Sequence, residues 1–175
     1  MKTFQYILRL TLTLFLITAV IAGLLGIADY LTADKIEDLQ NEKAKASMME
    51  VLPAENYEEM SVEKEGIKAA YRADDLGYVV RVTANGFGGA IDMVVGVNAD
   101  GTVSGVSIIS HAETASLGAE CTREEWRSQF AGLSGHLAVS KDGGGIDALT
   151  GATVTSRAVT DGVNLALEFV EEVGK

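Results

Sequence analysis

The segment Asp147-Ala148-Leu149-Thr150-Gly151-Ala152-Thr153-Val154-Thr155-Ser156 concentrates the residue types most able to do chemistry in this 175-residue chain. Small and hydroxylated residues crowd a glycine turn, and apolar residues at 159, 163, 166, 167 and 170 then recur at helical spacing. The spacing predicts a helix beginning near Thr155 or Ser156. The first turn of a helix carries N–H groups without intrahelical acceptors, and the aligned peptide dipoles add partial positive charge. Such an end favours an anion, and a phosphate bonded to the Thr155 hydroxyl would sit at it. Arg157, less than one turn further on, could add a point charge or a bidentate contact. An ordinary threonine N-cap after a glycine turn is the plain alternative.

The other candidates are weaker when taken alone. His111-Ala112-Glu113-Thr114-Ala115-Ser116-Leu117-Gly118 reads as a polar loop after a strand, with His111 exposed and inert. Gly86-Phe87-Gly88-Gly89 lacks the spacing, strand and ribose acid of a dinucleotide fingerprint and reads as a tight strand connection. Gly143-Gly144-Gly145 reads as a mobile or tightly turning approach to the segment above. Trp126 and Phe130, at i and i+4, read as core. The single Cys121 has no partner for an intramolecular disulfide, and no Cys/His cluster suggests zinc or an iron–sulfur centre.

These residues must be positioned by a small domain behind an apolar segment. Residues 10–28 carry no charge, and at about 1.5 Å per residue a helix of that length approximates the hydrocarbon core of a bilayer. Lys2 and Arg9 precede it, while Asp29, Asp34 and Glu37 follow, which predicts a cytoplasmic N-terminus and an extracytoplasmic body. A cleaved signal peptide with its small-x-small site at Gly26 and Ala28 is the alternative. The expected organisation is a cytoplasmic stretch 1–9, a transmembrane helix 10–28, a stalk or packing helix 29–52 and a domain 53–175. Strands are expected at 67–71, 77–83, 91–97 and 102–109, with Asp100-Gly101 turning the last two into a hairpin. A short helix is expected at 124–130. The fold class implied is α+β, with a twisted, largely antiparallel sheet and packed helices.

The net charge of −11 is unevenly placed: residues 1–28 carry +2, leaving −13 on the remainder. That balance excludes nucleic acid as a partner, since phosphate-backbone affinity needs clustered Lys and Arg.

The string Thr150-Gly151-Ala152-Thr153-Val154-Thr155, led by Asp147, resembles the flavinylation motif of the FMN-binding domain family, Asp-x-x-(Ser/Thr)-Gly-Ala-(Ser/Thr)-x-Thr. The resemblance implies flavin mononucleotide (FMN) joined through its phosphate to Thr155, with Thr150, Gly151, Ala152, Thr153 and Arg157 around it. It also implies that Asp147 is read by a dedicated flavin transferase or positions Thr155. The stretch 111–118 resembles the family's His-x-Glu-Thr-Pro-Gly-Leu-Gly, which implies that Glu113, Thr114, Leu117 and Gly118 lie near the flavin ring. Ala115 and Ser116 depart from it, standing where Pro and Gly are usual.

The whole layout resembles the G subunits of Rnf ion-translocating electron-transport complexes. That resemblance implies an electron relay with no turnover of its own, in a complex passing electrons between ferredoxin and NAD while moving Na+ or H+. Its implied partners are the other membrane subunits, including another flavin-carrying one. Three alternatives remain at this stage: the C subunit of a sodium-translocating NADH:quinone reductase, a flavin-carrying partner of a stand-alone extracytoplasmic reductase, and a non-redox membrane-anchored binding module.

Overall fold

The computed structural model describes residues 2–174, which divide between Asn41 and Glu42 into two compact units. Helix α1 is assigned over Lys2–Val51. Its N-terminal part is apolar, with a mean hydropathy of 2.4 over its best window, and none of that window is buried within the protein. It is long and apolar enough to cross a membrane. Three of its hydroxyls bond within the helix: Thr13, Thr18 and Thr32 donate to the carbonyls of Arg9, Leu14 and Ala28, at 2.8, 2.9 and 3.0 Å. A helix is the local structure that satisfies its own backbone in lipid.

The second unit begins with the last turns of α1. Ala44, Ser47, Met48 and Val51, spaced at i, i+3, i+4 and i+7, are buried against Ala73, Val79, Val94 and Ile109 of the sheet. Pro53 stops the helix, and Ser104 fastens its end by donating to the Val51 carbonyl at 2.6 Å.

Five antiparallel strands follow as a meander in sequence order: β1 (Tyr57–Met60), β2 (Ile67–Ala73), β3 (Gly77–Asn85), β4 (Ala90–Asn98) and β5 (Val103–Ser110). The four strands expected from alternation are present, with ends moved by no more than two residues. The Asn98–Gly101 turn closes with Asn98 N–H on the Thr102 carbonyl at 2.8 Å and Gly101 N–H on the Asn98 carbonyl at 2.9 Å. β1 went unforeseen. It is a four-residue edge strand, and Glu58 and Glu59 at its centre break the apolar alternation that marks the others.

β4 is buried from Ile91 through Val97 because both its faces are covered. Ile91, Met93, Val95 and Val97 join Val80, Val82 and the C-terminal helix (Thr153–Val173), α3, in the main core. Asp92 and Val94 face the opposite way, where Val94 meets the end of α1. Between β5 and α3 the chain forms a 3-10 turn (Gly118–Thr122), a short helix α2 (Glu124–Arg127) and a loop. Trp126 and Phe130 pack edge to face, with centroids 5.4 Å apart, and both are buried as the spacing suggested. Burying a side chain the size of Phe130 contributes about 2–3 kcal/mol. This is an α+β domain whose main core anchors the loop after β5 and the loop before α3.

Candidate functional site

The loop carrying the 147–156 segment is held at both ends. At its start, Asp147 N–H donates to Gln129 Oε1 at 2.8 Å, and Trp126 Nε1–H donates to the Asp147 carbonyl at 2.7 Å. The Asp147 residue itself is exposed. At its end, Ser156 Oγ accepts from Leu149 N–H at 2.9 Å and donates to the Ala152 carbonyl at 3.0 Å. Between them the chain turns at Gly151, whose φ of +75° is the left-handed region that glycine occupies without steric cost. The preceding Gly143–Gly145 stretch is a tight turn, closed by Gly144 N–H on the Val139 carbonyl at 3.1 Å.

The helix starts at Thr153, two residues earlier than its apolar spacing suggested, with Ala152 as N-cap. The expected cap hydroxyls are employed elsewhere. Ser156 staples the loop, and Thr155 turns inward as the third residue of the first turn. Thr153, Val154 and Thr155 therefore hold the N–H groups that lack intrahelical acceptors.

Thr155 is almost fully buried, at 1% exposure, and its hydroxyl donates to Glu113 Oε2 at 2.6 Å. Glu113 comes from the loop after β5 and is itself buried. Its other oxygen, Oε1, accepts from Gly88 N–H in the β3–β4 turn at 2.9 Å. His111, which reads as exposed and inert, is half-buried, and its Nδ1 accepts from the Glu113 backbone N–H at 3.2 Å. Gly118 completes the enclosure. A Cβ there would stand 2.3 Å from Glu113 Oε2 and 2.7 Å from Thr155 Oγ1, so only glycine fits without displacing the pair. The structure thus brings Glu113, Gly118 and Thr155 into direct contact, and adds Gly88, which had read only as part of a strand connection.

Of the other residues singled out, Leu117 is 44% exposed and its side chain approaches Gly151. Thr114 is exposed, and its carbonyl accepts from Leu117 N–H at 3.2 Å and Ala119 N–H at 3.1 Å. Ser116 has φ of +61°, a left-handed conformation. The position where a glycine is usual in the family pattern keeps a glycine-like backbone here in spite of the serine.

Arg157 is engaged by Asp142 in a two-pronged ion pair, at 2.6 and 2.7 Å. The hydrogen bonds from Arg157 hold the Asp142 carboxyl below its ordinary range and raise the guanidinium in turn. The cation that reaches the helix start is Lys141, whose Nζ donates to Thr153 Oγ1 at 2.7 Å. Sequence spacing gave no signal for it, because the contact depends on the fold of the 138–146 turn.

Beside this cluster lies a cleft of about 550 Å3 lined by Ser116, Leu117, Glu120, Arg123, Glu125, Trp126, Leu149 and Thr150. Leu117, Leu149 and Trp126 give it apolar surface; Glu120, Arg123 and Glu125 give it a charged rim. A second cleft of about 550 Å3, lined among others by Tyr78, Asp100, His136 and Glu171, contains none of the residues of the 147–156 segment. The first is the candidate site because both chemistry-bearing loops reach it, through Ser116 and Leu117 from one and Leu149 and Thr150 from the other. Cys121 is buried nearby, and its thiol is pushed up to about 11 by burial and by the charge of Glu113. It stays protonated near neutral pH.

The donor set fits a phosphate-bearing aromatic cofactor: first-turn N–H groups, a hydroxyl, a nearby ammonium and a cleft in which Leu117, Leu149 and Trp126 stand among polar residues. Residues 86–168 match the family model described as the FMN-binding domain. The chain is 34% identical to the G subunit of a Na(+)-translocating ferredoxin:NAD(+) oxidoreductase complex from Acetobacterium woodii, covering 98% of this chain and 95% of that one. It is 36% identical to the proton-translocating counterpart from Clostridium ljungdahlii, covering 93% and 88%. The G subunit of an ion-translocating oxidoreductase complex from Escherichia coli K12 is also 36% identical, covering 89% and 86%. The fold is shared with the C subunit of a Na(+)-translocating NADH-quinone reductase from Parabacteroides distasonis, at a TM-score of 0.59 and 17% identity, covering 78% and 94%. The chain belongs to the G-subunit family of Rnf-type ion-translocating oxidoreductase complexes and contains their FMN-binding domain.

Proposed function

We propose that this chain is a membrane-anchored electron-transfer subunit whose FMN is esterified through its phosphate to Thr155, within an Rnf-type ferredoxin:NAD oxidoreductase that moves Na+ or H+. The observation that carries the reading is the Thr155 hydroxyl, set in the first turn of α3 on Glu113, on the segment whose Leu149 and Thr150 line the mixed polar and apolar cleft. Bound FMN supplies one-electron redox chemistry. The residues of this chain would hold it: Thr155 would carry the phosphate, and the first-turn N–H groups of Thr153, Val154 and Thr155, with Lys141 as the nearby cation, would offset its charge. Leu117, Leu149 and Trp126 would offer the ring system its apolar contacts, while Thr150, Gly151 and Ala152 shape the turn. Thr114 and Gly118 hold the opposing loop. Arg157 acts on the phosphate only if it leaves Asp142. Asp147, exposed at the head of the motif, is available to a flavin transferase. No independent turnover is assigned to the chain.

The charge pattern around the apolar helix supports a single pass with residues 1–9 cytoplasmic, 10–28 in the inner membrane and the domain outside. A covalent tether suits that side, since occupancy becomes independent of free FMN. The partners are the other membrane subunits of the complex, one of them flavin-carrying.

The test is the intact and peptide mass of protein purified from a host containing the transferase. A gain of one FMN less one water, on Thr155 and absent from Thr155→Ala, is the expected result. An unmodified native chain from such a host overturns the covalent reading and leaves the anchored binding module.

A further inference from the structure

The Thr155 hydroxyl has an unusual partner. Hydroxyls in a helix ordinarily return to a carbonyl one turn back, as Thr160 does to Ser156 at 2.8 Å and Ser156 does to Ala152 at 3.0 Å. Thr155 instead donates 2.6 Å to a buried carboxylate 42 residues away in sequence. None of the ion pairs among the described residues involves Glu113. Its charge is held by two neutral donors, Gly88 N–H and Thr155 O–H. Gly118 and Gly86 pack so closely that a Cβ on either would lie within 2.3 Å of a Glu113 oxygen. A carboxylate buried without a cation is costly, and packing alone gives no reason to keep it.

We propose that Glu113 is the general base for attachment of the flavin to its own chain, taking the proton of Thr155 while a transferase presents the donor. The inference rests on the covalent reading above. An aliphatic hydroxyl is a weak nucleophile until a base at hydrogen-bond distance takes its proton, and the 2.6 Å contact already satisfies that geometry. The FMN phosphate arrives activated as a pyrophosphate, as in flavin adenine dinucleotide. Thr155 Oγ1 forms the new bond to the flavin-side phosphorus, the bond from that phosphorus to the bridging oxygen breaks, and adenosine monophosphate leaves with the electron pair. The hydroxyl proton passes to Glu113 Oε2. That transfer removes the negative charge of Glu113 as the anionic phosphodiester forms beside it.

The test is single-turnover flavin attachment to the full-length protein in detergent, with transferase and flavin adenine dinucleotide, followed by mass and in-gel fluorescence. Glu113→Gln keeps an acceptor for Gly88 N–H but turns an N–H toward Thr155. It is expected to slow the saturated rate by at least roughly 100-fold, with half-saturation by transferase unchanged and the thermal midpoint close to that of the parent. Glu113→Asp, which restores a carboxylate one methylene further away, is expected to recover part of that rate. The assignment is overturned if Glu113→Gln reacts at the parent saturated rate or loses only affinity for the transferase. It is equally overturned if Glu113→Asp is no faster than Glu113→Gln. Parent protein that takes no flavin on Thr155 takes both readings down together, whereas normal parent labelling with a normal Glu113→Gln rate removes only the base.

Discussion

Asp92 and Glu113 are both buried carboxylates, and their surroundings are opposite. Asp92 sits mid-sheet on β4, where Arg81 reaches it at 2.7 and 3.2 Å and Lys68 at 3.0 Å. Glu113 sits on a loop, and among the described residues its carboxylate accepts from a backbone N–H and a hydroxyl and pairs with no cation. The first arrangement offsets the desolvation of a charge with two cations and ties β2, β3 and β4 together. The second leaves charge in place and directs it at a single oxygen. Where a fold has the means to neutralise a buried acid and one acid is left without it, the uncompensated acid is the candidate for chemistry.

The largest effect expected from that contrast is on stability at Asp92. Arg81→Met removes the better-buried cation and should lower unfolding free energy by about 3 kcal/mol in urea titrations. Glu113→Gln should cost less than about 1 kcal/mol, because it discards a charge held by neutral donors and no described cation. Equal losses in the two variants would break the comparison and make Glu113 one more structural acid.

The second expected effect reads the charge of Glu113 through its neighbour. Cys121 has its thiol raised from an ordinary 9.0 to about 11, chiefly by burial and then by Glu113. A raised acid favours folding fully below the ordinary value, and that contribution is lost as pH rises from there towards the folded one. Unfolding titrations at about pH 8 and about pH 10.5, which bracket that window, should therefore show the parent losing more stability than Cys121→Ala. Keeping Cys121 while introducing Glu113→Gln should narrow that loss, and an unchanged loss would mean that burial alone moves the thiol.

The contrast between these acids lies beyond what the sequence displays, although much of the scaffold does not. Strands β2 to β5 were legible because alternation and an Asp-Gly turn encode them locally. The start of α3 was misread by two residues because Thr155 and Ser156 resemble cap residues, and nothing local says that both hydroxyls turn inward. Glu113 and Thr155 were each visible through a family pattern, but their hydrogen bond depends on two loops converging at one end of the sheet. Lys141 was invisible for the same reason, Gly88 read only as part of a strand connection, and nothing local announced that Asp142 pairs with Arg157. Motif residues are therefore readable singly, while their pairings are set by the tertiary fold.

The smallest effect belongs to a third acid, Asp142, which completes the series by being paired and exposed. Its carboxyl is held below the ordinary range by hydrogen bonds from Arg157. A depressed acid contributes stability above its ordinary value, and that contribution is lost as pH falls through the lowered folded value. Solvent screens a pair this exposed, so Asp142→Asn should leave the thermal midpoint at neutral pH within error of the parent. The substitution does free the Arg157 guanidinium one turn from the helix start. If Arg157 then swings to the phosphate, the flavin attachment rate should rise modestly at low salt and return to the parent value at high salt. A rate independent of salt would show that Lys141 and the first-turn N–H groups serve the phosphate without Arg157, and that the Asp142–Arg157 pair only closes the turn before the motif.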